Sequence, residues 1–167
     1  MQQSSVLDAI FHRRSIRDFT AEPVTEELLR EVIRAGIWAP SGLNNQPWRF
    51  RIIQDAELKT ALAEQTTYSH IILAAPALIA IYLDNAAIYD PVKDHQAAGA
   101  CIQNMLLAIE ALGLAGVWLG QILKNKLMVN SILSVSNQFD LMAIIAIGYA
   151  KHHNQSSSRK PLEQFLI

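Results

Sequence analysis

The feature that most restricts this chain is the run from Asp94 to Leu112, which repeats at helical spacing with apolar residues on nearly every side. Ala98, Cys101, Ile102, Met105, Ile109 and Leu112 form one stripe, while Ala97, Ala100, Leu107, Ala108 and Ala111 fill much of the rest. A helix apolar nearly all round is buried nearly all round. At 167 residues the chain is long enough for one domain, 1–167, and short for two. In so small a body, one side of this helix is expected to meet a second subunit. The composition agrees, since 51% hydrophobic and 17% charged residues leave apolar surface to be hidden. Oligomerisation is the first expectation.

Charge and length exclude several classes of function. A net charge of −1 and five scattered histidines provide no field to attract nucleic acid. The apolar run from Ile71 to Leu83 falls short of the roughly 20 residues that span a bilayer, and Pro76 interrupts it. Around a brief apolar patch the N-terminus carries Asp8 and the Arg13-Arg14 pair, without the order of a signal peptide, so a cytoplasmic protein is expected. Cys101 stands alone among Ala-rich neighbours and reads as a buried structural thiol. No spacing suits a metal: His152-His153 is an adjacent pair in a polar tail, and His12, His70 and His95 lack helical partners.

Taken in order, Ser4 or Ser5 is placed to cap a short helix through His12, with Val6, Ile10 and also Leu7 and Phe11 inward. Arg13-Arg14-Ser15-Ile16-Arg17 then sets three guanidinium groups within five residues. In extended backbone Arg13, Ser15 and Arg17 project to one side, and such forked donors with a hydroxyl suit phosphate. A solvated basic turn neutralised by Asp18 is the plainer alternative. Thr25 is a good N-cap for a helix whose buried face holds Leu28, Leu29, Val32, Ile33 and Ile37. That helix leads into Ala39-Pro40-Ser41-Gly42-Leu43-Asn44-Asn45-Gln46-Pro47-Trp48. Pro40 cannot continue the helix, and Gly42 admits positive φ or a close neighbour. Ser41, Asn44, Asn45 and Gln46 offer donors and acceptors to something polar and planar, or simply to their own backbone.

Arg49–Ile53, Leu78–Leu83, Leu114–Gly120 and Leu141–Ile147 read as strands, and Ala56–Ala63 and Lys124–Leu133 as helices. Residues 84–93 read mainly as connection, and Gly113 ends the long helix. After a polar stretch with three consecutive serines, the chain closes on apolar Phe165-Leu166-Ile167, which should pack on something. No nucleophile elbow, phosphate loop or dinucleotide fingerprint is present. A basic cluster, an amide loop, a glycine-ended strand and late cations together suit a phosphorylated aromatic cofactor.

These residues carry a resemblance. Arg13-Arg14-Ser15-Ile16-Arg17, Ala39-Pro40-Ser41 with Asn44 and Gln46-Pro47-Trp48, Gly113-Leu114 through Gly120, and Arg159-Lys160-Pro161-Leu162-Glu163 resemble the FMN-dependent nitroreductase family from about Val6 to the C-terminus. The resemblance implies an α+β fold: a mixed, mainly antiparallel sheet packed between helices, in an intertwined homodimer with FMN at the subunit interface. It further implies that Arg13 and Ser15 meet the phosphate and ribityl end of the cofactor they bind, with Arg14 alongside them, and that Arg17 approaches the flavin pyrimidine edge. Pro40, Ser41 and Asn44 would come from the opposite subunit, Leu119 and Gly120 would border the isoalloxazine, and Arg159, with Lys160 near it, would reach the phosphate. Two departures stand out. Ser157 occupies a position where the family often has lysine, and the stretch from Asp84 to Asp94 is too short for the helices that cover the site in longer members. The implied activity is a ping-pong oxidoreductase, in which NADH or NADPH gives hydride to flavin N5 and a nitroaromatic, quinone or similar acceptor takes the electrons. No side chain need be catalytic; Arg17 gives electrostatic support. The alternatives are a specialised flavin reaction (dehalogenation, flavin fragmentation, ring oxidation) or a flavin-binding protein without turnover.

Overall fold

A computed structural model describes residues 6–167. Four strands carry the architecture: β1 (Trp48–Ile53), β2 (Ala77–Asp84), β3 (Ala115–Leu119) and β4 (Phe139–Gly148). They lie in the order β1-β2-β4-β3, with every pairing between them antiparallel. The parallel component of the sheet is an isolated bridge between Ser15 and Gly116. Around the sheet lie α1 (Val6–His12), α2 (Glu26–Ile37), α3 (Ala56–Ala63), α4 (Ser69–Ala74), α5 (Pro91–Ala111) and α6 (Lys126–Ile132).

The sheet is covered on both faces, which is why its central strands read as unbroken apolar runs. Along β2, Leu78, Ala80 and Tyr82 join a core with α3, α4 and α6. Ala77, Ile79 and Ile81 join the opposite core with Leu29 and Val32 of α2 and with Cys101, Ile102 and Met105 of α5. β4 alternates likewise until the register shifts opposite Ile81 and Tyr82, where Met142 is the extra residue of a bulge. Burial pushes the Cys101 thiol up to about 12, so it stays protonated and serves packing.

Several elements differ from the sequence expectation for physical reasons. The long helix starts at Pro91, not Asp94: Asp90 caps it by accepting from the Lys93 N–H at 3.0 Å, and proline suits the first helical position. The apolar run before β2 contains α4, which ends ahead of Pro76. Lys126 opens α6 after a 3-10 segment over Gln121–Asn125, so the helix is shorter than Lys124–Leu133. Ser4 and Ser5 lie outside the described residues. In α1 only Ala9 is buried, while Val6, Leu7, Ile10 and Phe11 are exposed, because among the described residues the helix packs chiefly on α5 along one side. Among the described residues no helix is long and apolar enough to cross a membrane.

Candidate cofactor site

After α1 the chain crosses to the edge of the sheet. The Ile16 N–H donates to the Gly116 carbonyl at 3.1 Å, so residues 13–17 run alongside β3 in the same direction. Ile16 and Phe19 turn into the core and pin the segment from beneath. Further bonds, from Thr20 N–H to the Tyr149 carbonyl and from Lys151 N–H to the Asp18 carbonyl, draw the chain beyond β4 to the same edge. The consequence is a cavity of about 380 Å³ lined by Arg13, Arg14, Ser15, Arg17, Ser157 and Arg159, together with Gln155 and Ser156. Segments some 140 residues apart in sequence thus place four guanidinium groups around one space, with no carboxylate among its lining residues.

The four arginines are not equivalent. Arg14 folds back, donating through Nη1 to the carbonyls of Phe11 at 2.8 Å and Arg13 at 3.0 Å, so it fastens the end of α1 while its buried Nε has no partner. Arg17 donates to the Ser15 carbonyl at 3.2 Å. Arg159 donates to Ser157 Oγ at 3.2 Å and to the Ser158 carbonyl at 2.9 Å, so Ser157 helps to orient the arginine. The Arg13 side chain makes no hydrogen bond or ion pair among the described residues and is the most available donor. Lys160 is exposed and does not line the cavity.

Leu119 and Gly120 lie farther along the same edge. The Leu119 side chain is buried in the core, so only its main chain can border a ligand, whereas Gly120 is exposed at the strand end.

The amide loop is a separate structure and does not reach the arginine cavity within the chain. Thr25 caps α2 as expected, and Pro40 follows the end of the helix. The next turn is a 3-10 helix over Gly42–Asn44, with positive φ at Leu43, Asn44 and Gln46. Gly42 does not itself adopt positive φ. Its lack of a side chain matters for another reason: a Cβ there would collide with the ring of Tyr89. The loop satisfies its own backbone, with the Gln46 N–H donating to Ser41 Oγ at 3.1 Å and the Gln46 side chain to the Asn44 carbonyl at 3.3 Å. Its far end is held by the Asp84 N–H on the Pro47 carbonyl at 2.7 Å. Asp84 in turn receives Gln138 at 2.9 Å, Arg49 at 2.8 Å and the Ala86 N–H at 3.1 Å. The Gln138 bond leads in holding its carboxyl below the usual range, against the burial that would raise it. Pro40 and Asn44 are exposed and Ser41 is half-buried.

The residue that inspection of the sequence missed is Asp94. It is fully buried and bonded to Asn45 of the loop at 2.8 Å. A carboxylate inside an apolar helix was the available signal, since such a group is buried only when well supplied with donors.

A model of the nitroreductase family matches residues 10–67 and 59–149. The chain belongs to the nitroreductase family. A Desulfovibrio desulfuricans protein described as a nitroreductase, solved in complex with FMN, superposes with a TM-score of 0.93 at 48% identity, covering 97% of this chain and 95% of that one. An Archaeoglobus fulgidus protein described as an NADH dehydrogenase/NAD(P)H nitroreductase is 29% identical over 87% of this chain and 85% of its own. The NADPH-flavin oxidoreductase of Vibrio harveyi is 25% identical over 95% of this chain and 71% of its own. The family model's match takes in Arg13, Arg14, Ser15 and Arg17 and ends before Arg159.

Proposed function

We propose that the chain is an FMN-dependent oxidoreductase that takes electrons from NADH or NADPH and passes them, by a ping-pong mechanism, to a nitroaromatic, quinone or similar small acceptor. The observation that carries this reading is the cavity of four guanidinium groups and Ser15 with no opposing carboxylate. That donor set fits a terminal phosphate, because forked N–H groups match its oxygens and unopposed cations attract an anion. FMN, when bound, supplies the acceptance and return of hydride.

The protein's own residues do the rest. Arg13, Ser15 and Arg159 bind the phosphate and ribityl end, Arg14 keeps the segment in place, and Lys160 adds positive potential nearby. Arg17, at the outer end of the segment, stabilises negative charge on the pyrimidine edge. Leu119, through its main chain, and Gly120 border the ring. Pro40, Ser41 and Asn44 complete the site of a partner subunit. What supports a homodimer is the apolar surface one chain leaves uncovered: α1, Trp38 at 81% exposure, and the tail from Leu162 to Ile167. The setting is the cytoplasm, where both nicotinamides are available.

The test is to purify the protein, release its chromophore for chromatography, and follow anaerobic bleaching of the bound flavin by NADH and NADPH before adding an acceptor panel. Released FMN, bleaching, and reoxidation by a nitroaromatic or quinone are expected. FAD or no flavin would sink the cofactor assignment, and FMN that stays oxidised would make the protein a binder without turnover.

A further inference from the structure

The loop that carries Pro40, Ser41 and Asn44 is held by a side chain far along the sequence. Asn45 donates through Nδ2 to Asp94 Oδ1 at 2.8 Å and to the Ala87 carbonyl at 3.0 Å. The other Asp94 oxygen accepts from the main-chain N–H groups of Tyr89 at 3.0 Å and Asp90 at 3.1 Å. One carboxylate therefore joins three pieces: the loop after α2, the short connection before α5, and the first turn of α5. Asp94 is 0% exposed, and a carboxylate so placed stays charged only with donors of this number.

Asn45 has no freedom to turn over. Reversed, its Oδ1 would face the carboxylate; in the observed orientation Oδ1 is buried with no partner. Leaving that acceptor unmet costs free energy that the two Nδ2 bonds offset. The loop needs such a hold, because Leu43, Asn44 and Gln46 have φ of 54°, 56° and 45°, where residues with side chains are disfavoured. Tyr89, whose N–H is fixed by Asp94, also packs its ring into the space left by Gly42.

We propose that Asp94 is a positioning residue for the cofactor site: through Asn45 it holds the 41–46 loop in the strained shape that presents Pro40, Ser41 and Asn44 to the flavin of a partner subunit. The inference rests on the FMN reading above. Asp94 does not line the arginine cavity, so its influence on FMN passes through the loop.

The test compares full-length wild type with Asn45→Ala, Asp94→Ala, the double substitution, and the exchanged pair Asn45→Asp with Asp94→Asn. FMN affinity is measured by titration, and hydrogen exchange is followed at the amides of residues 41–46 and of β2. Each single alanine substitution is expected to weaken FMN about tenfold, and the pair to do no worse than the weaker single, because both remove one connection. Exchange should quicken in the loop and not in β2. The exchanged pair again sets a donor against an acceptor between 45 and 94 but turns a carboxylate oxygen toward the Ala87 carbonyl, so it should recover only part of the affinity. If Asp94→Ala fails to fold, Asn45→Ala decides alone, since it leaves both main-chain bonds to Asp94 in place. Quickened loop exchange with unchanged FMN affinity overturns the proposal, as do fully additive losses. A wild-type chain without FMN affinity is a separate failure, overturning the flavin reading and the positioning role with it.

Discussion

The arginine cavity and the amide loop are built on opposite principles. Around the cavity, four cations face one another with no carboxylate among them, so that region is electrostatically unsatisfied until an anion arrives. The loop is the reverse: its backbone is closed on itself, its later part is tied to Asp84 and Asp94, and its strain is stored in three residues of positive φ. On the proposed reading, one region is completed by a ligand and the other is complete before any ligand comes. On that reading the two have different work, affinity for the cavity and preorganised shape for the loop. If the loop serves a neighbouring subunit, its rigidity cannot be supplied by the flavin it meets and must come from its own chain.

The largest expected effect comes from removing the surface that would join the two regions across subunits. Ending the chain after Lys160 keeps Arg159 and deletes Leu162, Phe165, Leu166 and Ile167, all exposed in the single chain. Burial of each such side chain is worth roughly 1.5–3 kcal/mol, so the truncated protein should dissociate readily and lose flavin in parallel, with added FMN partly restoring the dimer. Sedimentation velocity with and without FMN measures both. A truncated chain that stays dimeric and yellow would make the tail dispensable, and a monomeric full-length holoprotein would refute the shared site.

Within the cavity, Arg13→Ala should weaken FMN about ten- to a hundredfold, the value of one charge-assisted contact. Flavin that remains bound should be reduced at nearly the wild-type rate. The apo protein should lose no thermal stability, because Arg13 makes no bond among the described residues and its removal relieves repulsion by its neighbours. Isothermal titration and apo-protein melting check both halves; unchanged affinity removes Arg13 from the site. In the loop the signs invert. Gly42→Ala forces the half-exposed Tyr89 ring aside, so stability should fall by about 1 kcal/mol, at the lower end for an overpacked position. Denaturant unfolding that shows no loss would mean that Tyr89 does not brace the loop.

The two regions were unequally legible in the sequence, and for a physical reason. The cavity is made of local signals: arginines at alternating positions, fixed in extended backbone beside β3, and one late arginine returned by the chain's course past β4. The Thr25 cap and the Gly113 stop, at φ 71°, are equally local. By contrast, the bond from Asn45 to Asp94 spans 49 positions and exists only once α5 packs behind α2. Arg14 shows the same limit, because its charge was evident but its use on the carbonyls of Phe11 and Arg13 depends on the angle at which α1 ends. The exposure of Val6, Leu7, Ile10 and Phe11 is a third case: periodicity showed that α1 has an apolar side, and could not say whether one chain covers it.

The smallest expected effect separates the regions by acid. The cavity is lined by no acidic side chain, whereas the loop is tied to one. Burial would raise the Asp94 carboxyl, but the Asn45 amide, the N–H groups of Asp90 and Tyr89 and the nearby His95 charge outweigh it and hold the group below its ordinary 3.8. A carboxylate depressed on folding contributes stability that is fully present above the unfolded value, and that contribution disappears as pH falls through the lower folded value. Asp84 and Glu27 are shifted in the same direction and add to the slope, so wild type alone cannot isolate the loop. Asp94→Asn can, because it removes one titrating group and leaves the other two. Unfolding free energies at about pH 5 and about pH 3 should fall less steeply in Asp94→Asn than in wild type, and the gap between the proteins should narrow on acidification. Parallel slopes would show that the Asp94 carboxylate is no better stabilised in the fold than in the unfolded chain, and the contrast between a ligand-completed cavity and a self-completed loop would lose its electrostatic half.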